Sequence, residues 1–173
     1  IKRWEAPHFY KQLRGITRYQ DQLWLGYASQ LMVLDESDSI LRQPAWLPEI
    51  KVVQYGWYKD ELWVGSPSGI YVVNPGKKQW RVISAGSEPG QLPNTMLTHV
   101  YDEDSLLWIA SFGGGLYRYD SALDTFRIYT EADGLPNNNI WAVYPDHKGR
   151  LWLSTDNGIS RFDPLKNEFR NFR

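Results

Sequence analysis

A tryptophan that recurs at a nearly constant interval is the feature that most constrains the fold of this chain. Leu-Trp followed by an aliphatic residue occurs four times, with the tryptophans at Trp24, Trp63, Trp108 and Trp152. The intervals between them are 39, 45 and 44 residues. Self-similarity at such an interval is typical of proteins built from stacked, similar units. The sequence is therefore predicted to be a repeat protein.

Composition indicates which kind of unit is repeated. Aromatic residues make up 15% of the chain, with nine Trp and eleven Tyr, and these residues favour strands. The 14 Gly and 10 Pro are spread along the chain as turn residues. No segment keeps apolar residues at helical spacing over three turns. The predicted fold class is all-β.

Each interval carries the signals of four short antiparallel strands, which we name a to d, with the tryptophan on strand b. Strand a is predicted around residues 52–53, 98–100 and 141–143. A glycine turn follows strand b at Gly69, Gly115 and Gly158, and an Asx residue ends strand c. A four-stranded antiparallel unit of about 40–45 residues is the size of a β-propeller blade. The four repeated tryptophans are predicted to pack between blades and to form core, not a site.

Four blades are predicted, at residues 13–45, 46–84, 92–130 and 135–173, as a segment of a larger propeller of the seven-bladed type. Trp4 precedes Leu13 by nine residues, as Phe126 precedes Leu135, so residues 1–12 are predicted to carry the outer strand of a preceding blade. Both ends then resemble strand d, and the start without Met suggests an excised piece. Two unpaired packing faces predict an open arc or self-association, for example as a homodimer.

Charge and hydropathy exclude several classes of partner. The net charge of -1, without a basic face, argues against nucleic acid. No apolar stretch reaches the roughly 18 residues that cross a membrane, so no direct membrane insertion is predicted. With no cysteine in the chain, disulfides and thiolate metal sites are excluded.

Catalytic groups are scarce. The histidines are His8, His99 and His147, too scattered for a metal site or a triad, and the serines lack a Gly-x-Ser-x-Gly context. His99 is predicted to pack or hydrogen-bond in strand a, and His147 to be solvated in a turn. The acidic residues Asp102, Asp104, Asp120, Asp146 and Asp163 are predicted to satisfy hairpin turns. We predict no catalytic residue, no metal and no cofactor.

A binding face is predicted where the d–a and b–c connections of a propeller emerge together. Amide and hydroxyl groups beside aromatic rings suit a sugar, because polar groups bond its hydroxyls while a ring packs on its apolar face. The alternative is that these are ordinary polar turns. Trp46, Trp57 and Tyr58 could form a partner surface or pack on strand faces. The candidate ligand-binding residues are Ser66, Ser68, Asn94, Phe112, Asn137, Asn138, Asp156 and Asn157, of which Phe112 and Asn138 are the strongest.

The fourth unit resembles a known family. Residues 135–146 (Leu-Pro-Asn-Asn-Asn-Ile-Trp-Ala-Val-Tyr-Pro-Asp), 149–155 (Gly-Arg-Leu-Trp-Leu-Ser-Thr) and 158–159 (Gly-Ile) resemble the two-component regulator propeller repeat. Residues 92–120 resemble a second copy, residues 52–74 a weaker one and residues 16–35 a degenerate one. The resemblance implies a periplasmic sensor region, the extracytoplasmic part of an inner-membrane receptor with a histidine kinase or diguanylate cyclase output.

The leading hypothesis is a non-enzymatic sensor-propeller segment that binds an extracellular solute such as an oligosaccharide, or relays its binding. Neighbouring blades or domains of the same receptor are the expected partners. One alternative is a protein–protein interaction scaffold without a small ligand. A weaker alternative is a propeller glycoside hydrolase or lyase, since propellers also carry paired catalytic acids.

Overall fold

The computed structural model describes residues 13–28, 30–35, 40–86, 91–94, 96–103 and 105–172. Within these residues the chain forms four separate sheets, each a meander of four antiparallel strands in sequence order. This arrangement confirms the predicted all-β propeller fold. The predicted outer strand in residues 1–12, with Trp4 and His8, lies outside the described residues, as does Asp104.

The strand bounds follow the repeat. The first sheet contains β1 (Leu13–Tyr19), β2 (Gln22–Tyr27), β3 (Leu31–Asp35) and β4 (Ile40–Arg42). The second contains β5 (Gln54–Tyr58), β6 (Glu61–Ser66), β7 (Gly69–Asn74) and β8 (Gln79–Ile83). The third contains β9 (Leu97–Glu103), β10 (Leu106–Ser111), β11 (Leu116–Asp120) and β12 (Thr125–Tyr129). After a short 3-10 turn (Glu131–Asp133), the fourth contains β13 (Ile140–Pro145), β14 (Leu151–Thr155), β15 (Gly158–Asp163) and β16 (Glu168–Phe172).

Neighbouring sheets contact each other in sequence order through their first strands. Strand β1 contacts β5, β5 contacts β9, and β9 contacts β13. The four sheets therefore form an arc with strand a of each sheet on its inner side. This is the order in which propeller blades stack, because one sheet cannot bury both of its faces alone.

In the described residues the core consists of three apolar clusters, one between each pair of neighbouring sheets. Trp24 is 1% exposed and packs toward the second sheet, while Trp63 and Trp108 are 0% exposed and pack toward the third and fourth sheets. The predicted core role of these three residues is confirmed. Trp152 differs, because its side chain is only partly buried on the outer face of the fourth sheet.

Turn chemistry also follows the prediction. Gly115 has φ +86°, and a Cβ atom there would lie 2.1 Å from the carbonyl oxygen of Tyr129, so only glycine fits. The side chains of Asn74, Asp120 and Asp163 each accept backbone N–H groups two or three residues further on. These Asx turns close the hairpins between strands c and d.

Some details differ from the sequence prediction. Strand a of the second sheet begins at Gln54 and not around residues 52–53. Gln54 is the register partner of Gly65, and the Val53 N–H also donates to the Gly65 carbonyl (2.9 Å), so two consecutive residues lie opposite one and the regular ladder is interrupted. Asp102 pairs with Leu107 inside β9 and is not a turn residue.

The additional aromatic residues of the second unit pack against neighbouring side chains. Tyr58 is 2% exposed, and Trp57 stacks on Tyr19 with ring centroids 5.0 Å apart. Trp46 lies beside Trp24 at 6.3 Å. Of the two readings left open for these residues, packing is the one that the structure supports.

Candidate functional site

The d–a and b–c connections lie side by side at one edge of the arc, as the sequence predicts. The Phe112 N–H donates to the Met96 carbonyl (2.9 Å), and the Asp156 N–H donates to the Asn139 carbonyl (3.3 Å). These bonds connect each b–c turn to the segment that enters its own sheet. Backbone bonds of this kind hold a loop in one conformation, so side chains on these turns occupy defined positions.

A β-bulge brings Trp141 to this edge. In the pairing of β13 with β14, Ile140 lies opposite Thr155 and Ala142 lies opposite Ser154, so Trp141 is the extra residue. A bulge bends its strand and re-aims a side chain that regular alternation would place on a sheet face. Trp141 is 52% exposed, a large apolar surface to leave in solvent.

Asp156 fixes the orientation of this indole. Its carboxylate accepts hydrogen bonds from Asn139 Nδ2 and from Trp141 Nε1, both at 2.6 Å. These hydrogen bonds favour the charged form and lower the pKa of Asp156 below its usual value. The hydrogen bond from Asn139 has the larger effect, followed by the one from Trp141. The carboxylate is therefore ionised at neutral pH and exposed.

Phe112 completes an aromatic pair that joins the third and fourth sheets. Its ring centroid is 5.4 Å from that of Trp141 with an interplanar angle of 60°, and Phe112 is 37% exposed. A Cβ atom at Gly113 would lie 3.5 Å from Asn94 Nδ2 and 3.9 Å from Asn139 Oδ1, so both amides border the same turn. We call the set Phe112, Trp141, Asn94, Asn139 and Asp156 the Phe112–Trp141 patch.

Three of the predicted ligand residues hold loops in place near this patch. Asn137 Oδ1 accepts the backbone N–H two residues further on (2.8 Å), and Asn157 Nδ2 donates to the Pro136 carbonyl (3.1 Å). Asn138 Oδ1 accepts the Glu131 N–H (2.9 Å), while the Asn138 N–H donates to Glu131 Oε1 (3.0 Å). A contact of these residues with ligand stays a prediction, and what the structure gives them is a positioning role.

Ser66 and Ser68 lie apart from the patch, on the second sheet. Their hydroxyls are 3.1 Å apart, and Ser66 is 1% exposed. Both line a groove of about 350 Å³ together with Glu49 and Lys51. The predicted ligand-binding residues therefore lie in two separate regions, one on the second sheet and one on the third and fourth sheets. Of these two regions, the Phe112–Trp141 patch on the third and fourth sheets is the one that combines exposed rings with a carboxylate.

Two of the groups considered for catalysis, His99 and Asp146, have structural partners. His99 Nδ1 accepts the Val143 N–H at 3.4 Å, and burial lowers the pKa of His99. His147 is exposed in its turn, as predicted. The Asp146 carboxylate forms a salt bridge with Arg150, with Oδ2 2.6 Å from Nη2. Among the described residues, no group of three or more His, Cys, Asp or Glu side chains could hold a metal ion.

Trp141 and Asn139 are the patch residues that are not among the predicted ligand-binding residues. The sequence predicts Trp141 in the body of strand a, where alternation would place it on a sheet face. In the third sheet the equivalent bulge falls between Leu97 and His99, so Thr98 takes this position. An aromatic residue at a position that is polar in the neighbouring repeat is the signal that could have identified it.

A comparison with family models gives one match. The model described as two component regulator propeller matches residues 134–157. These residues are therefore similar to a two-component regulator propeller repeat. The matched residues run from the connection before β13 to the b–c turn after β14. They therefore include three residues of the patch, Asn139, Trp141 and Asp156.

Comparisons with whole proteins and solved structures agree with this repeat. Histidine kinase P4 from Formosa agariphila is 30% identical over 113 residues, which cover 58% of this chain and 8% of that protein. The extracellular domain of BT4673 from B. thetaiotaomicron, described as part of a hybrid two component system, superposes with a TM-score of 0.76 at 19% identity. The match covers 93% of this chain and 25% of that domain.

A second solved domain gives the same picture. The extracellular domain of BT3049 from B. thetaiotaomicron, also described as a hybrid two component system, has a TM-score of 0.74 at 18% identity, covering 92% of this chain and 23% of that domain. At these identities the likeness shows the fold. The chain thus spans less than a tenth of its curated relative and about a quarter of each solved domain. In the part of the chain that the structure describes, no helix is long and apolar enough to cross a membrane.

Proposed function

We propose that this chain is a non-enzymatic propeller segment in the periplasmic sensor region of a two-component signalling receptor. The similarity of residues 134–157 to a two-component regulator propeller repeat and the similarity of the chain to histidine kinase P4 support this proposal. The solved domains of the same fold are described as extracellular parts of hybrid two component systems. Asp120, Asp146 and Asp163 stabilise turns, which supports a sensor rather than a hydrolase.

We further propose that the segment binds a small polar solute of the oligosaccharide class at the Phe112–Trp141 patch. The observation that carries this proposal is the exposed aromatic pair held beside the ionised carboxylate of Asp156. A sugar ring packs its C–H face on an aromatic ring, and its hydroxyls donate to a carboxylate and bond amide groups. The indole is already oriented by Asp156, so binding does not have to order it.

Titration calorimetry with a panel of neutral and acidic oligosaccharides tests the proposal. We expect Trp141→Ala to weaken binding of the recognised sugar by about tenfold or more, the loss of one stacking contact. The matched control is Trp80→Ala, because Trp80 is a similarly exposed tryptophan (44%) on the second sheet. Equal losses in both variants, or no binding by the unmodified chain to any sugar of the panel, would contradict it.

An interaction scaffold without a small ligand is the second candidate function. The observation that favours it is the outer face of the fourth sheet, where Tyr144 is 73% exposed and Phe172 is 37% exposed. Large exposed apolar groups on a sheet face mark contact surfaces for other proteins. In that case the chain would bind no sugar, and substitution of these two residues would remove the protein contact.

A further inference from the structure

The interface between the first and second sheets lacks an aromatic ring that the other two interfaces share. In those two interfaces, strand c of the later sheet supplies the ring. Between ring centroids, Tyr119 lies 4.8 Å from Trp63 and Phe162 lies 5.8 Å from Trp108. Register places the smaller Val73 at the equivalent position of the second sheet. Because valine cannot fill the volume of a ring, this interface is packed less completely.

A cavity of about 370 Å³ lies at this interface, beside Trp24. Val33 and Trp46 extend its apolar wall, and the Trp46 ring is 6.3 Å from that of Trp24. The polar residues of the lining are Gln22, Arg42, Gln43 and Lys78. Small-molecule sites have volumes of roughly 300–1,000 Å³ and combine an apolar wall with a few polar groups. The cavity has both properties.

The segment that carries Trp46 is held in place by hydrogen bonds. Gln43 Nε2 donates to the carbonyl oxygens of Leu47 (3.3 Å) and Pro48 (3.2 Å). From the second sheet, Trp80 Nε1 donates to the Trp46 carbonyl (3.2 Å). The wall of the cavity therefore has a defined shape, and a ligand would not have to order it on binding.

Trp24 brings an unused hydrogen-bond donor to this cavity. Its Nε1 is buried and has no partner among the described residues, whereas the equivalent nitrogen of Trp108 donates to Glu103 (3.0 Å). In the first sheet the position of Glu103 is occupied by Tyr19, whose ring stacks on Trp57. A ligand atom that accepts from Trp24 would supply a hydrogen bond that the neighbouring side chains do not.

The charged part of the lining is positive. Lys78 is exposed in the c–d turn of the second sheet, and no carboxylate pairs with it among the residues that the structure describes. Arg42 forms a salt bridge with Asp35 at 3.6 Å, and 49% of the Arg42 side chain stays exposed. In the described part of the chain, no acidic side chain lines the cavity. The lining therefore favours an anion over a neutral or cationic ligand.

We propose that this cavity binds a small carboxylate with a ring-shaped body. Arg42 and Lys78 attract the carboxylate, Trp24 Nε1 donates to a ligand oxygen, and the ring of the ligand packs on Trp46. The cavity lies on the first and second sheets, whereas the Phe112–Trp141 patch lies on the third and fourth. This site is therefore additional to the proposed function and does not depend on it.

Titration calorimetry with glucuronate and glucose tests the preference for a carboxylate, because glucuronate carries a carboxylate where glucose has a CH₂OH group. We expect glucuronate to bind the unmodified chain at least about tenfold more tightly, the effect of one charge-assisted hydrogen bond. Benzoate is the probe for a carboxylate on an aromatic ring. Binding of glucuronate alone would identify a sugar acid as the ligand, and binding of benzoate alone an aromatic acid. Either result supports the site.

Matched variants locate the bound carboxylate. Lys77 and Lys78 are both exposed in the same turn, but Lys78 lines the cavity and Lys77 does not. We expect Lys78→Gln to weaken binding by about twofold to fivefold and Lys77→Gln to leave it unchanged. Val73→Phe supplies the missing ring and should abolish binding. Circular dichroism melts check that each variant is folded.

The indole signal of Trp24 gives a second readout that does not depend on a filled cavity. Proton–nitrogen correlation spectra contain one indole N–H signal for each of the nine tryptophans. Trp24→Phe and Trp63→Phe identify two of these signals by their loss. We expect the bound carboxylate to shift the Trp24 signal and to leave that of Trp63 in place, because Tyr119 packs on Trp63.

Three outcomes would overturn the proposal. The first is no binding of either carboxylate at about 10 mM, where a site of millimolar affinity would be largely occupied. The second is equal affinity for glucuronate and glucose. The third is carboxylate binding that leaves the Trp24 signal unshifted or persists in folded Val73→Phe. Trp141→Ala should not change carboxylate binding at this cavity, so failure of this proposal and failure of the proposed function are observed separately.

Discussion

At the scale of single residues, Asp146 shows how one carboxylate can hold a hairpin turn. Its Oδ2 accepts Arg150 Nε at 2.7 Å and Trp152 Nε1 at 3.3 Å, and its Oδ1 accepts the Lys148 N–H at 2.8 Å. The hydrogen bond from the Arg150 side chain is the main reason that the pKa of Asp146 lies well below its usual range. Hydrogen bonds from backbone N–H groups lower this pKa further. The aspartate therefore orders the turn and the neighbouring indole at once.

This shift makes a pH-dependent prediction for Asp146→Asn. Because the pKa is lower in the folded state, the stabilisation by Asp146 is present above the unfolded-state pKa of about 3.9 and is lost as pH falls below it. We expect the melting temperature of the variant to be below that of the unmodified chain at pH 6, with a difference that shrinks toward pH 3. Melting followed by circular dichroism measures it.

Lys148→Gln is the control for this experiment, because the Lys148 side chain is exposed and only its backbone contacts Asp146. Its melting temperature should match that of the unmodified chain at both pH values. A difference for Asp146→Asn that stays constant from pH 6 to pH 3 would show that the charge on Asp146 has no part in stability.

Single residues are also where prediction from sequence was weakest. The Asx residues of the c–d turns were predicted correctly, because their function depends on residues two or three positions away in the chain. The exposure of Trp141 depends on a bulge, which inserts one residue without leaving a mark in the local pattern. The bond from Asn138 to Glu131 joins residues seven apart through a 3-10 turn that the sequence reading did not contain.

At the scale of elements, the repeated tryptophans are equivalent in packing but not in hydrogen bonding. Trp108 Nε1 donates to Glu103 Oε2 at 3.0 Å. Among the residues that the structure describes, the buried indole nitrogens of Trp24 and Trp63 have no hydrogen-bond partner. A buried donor without a partner costs about 1–3 kcal/mol, whereas a bonded donor adds to stability. The Trp108 indole therefore adds hydrogen-bond energy to the stability of the third sheet, whereas the Trp63 indole adds none to the second.

This contrast predicts different costs for the same substitution at two matched positions. Trp63 and Trp108 are both 0% exposed at equivalent places on strand b. Trp63→Phe removes an unpaired N–H, while Trp108→Phe removes a hydrogen bond to a carboxylate. We expect Trp108→Phe to lower the free energy of unfolding by about 1 kcal/mol more than Trp63→Phe does, as measured by urea denaturation. Equal costs would mean that the Glu103 bond contributes nothing.

Most of the element-level structure could be predicted because each element repeats. Strand b was identified by its tryptophan, and strands c and d by the Asx turn between them. Strand a of the second sheet was misplaced by two residues, because Val52 and Val53 have high β-propensity although the regular ladder begins at Gln54. The core role of Trp24, Trp63 and Trp108 followed from the interval alone.

At the scale of the whole molecule, the core formed by the described residues is divided into three clusters, one between each pair of neighbouring sheets. Val64 belongs to the cluster between the first and second sheets, and Val143 to the cluster between the third and fourth. In the described residues the apolar clusters and the contacts of strand a join neighbouring sheets, so stability is close to a sum of units and interfaces. Distant interfaces should then respond independently to substitution.

Double substitutions test this independence. We expect the losses in free energy of unfolding for Val64→Ala and Val143→Ala, roughly 1–3 kcal/mol each, to add within about 0.5 kcal/mol. The comparison pair is Val143→Ala with Leu153→Val, because these two residues are cross-strand partners in one cluster. That pair should deviate from additivity by more. Strong coupling between Val64 and Val143 would show that strain passes along the whole arc.

The bulge in strand a has a consequence for how such an arc can diversify. The first, third and fourth sheets each carry one extra residue at this place, and the residues differ in kind: Arg14, Thr98 and Trp141. Because the extra residue is outside the ladder, exchanging it leaves strand register and the core clusters unchanged. Mutation can therefore vary the chemistry of the rim, blade by blade, at little risk to folding.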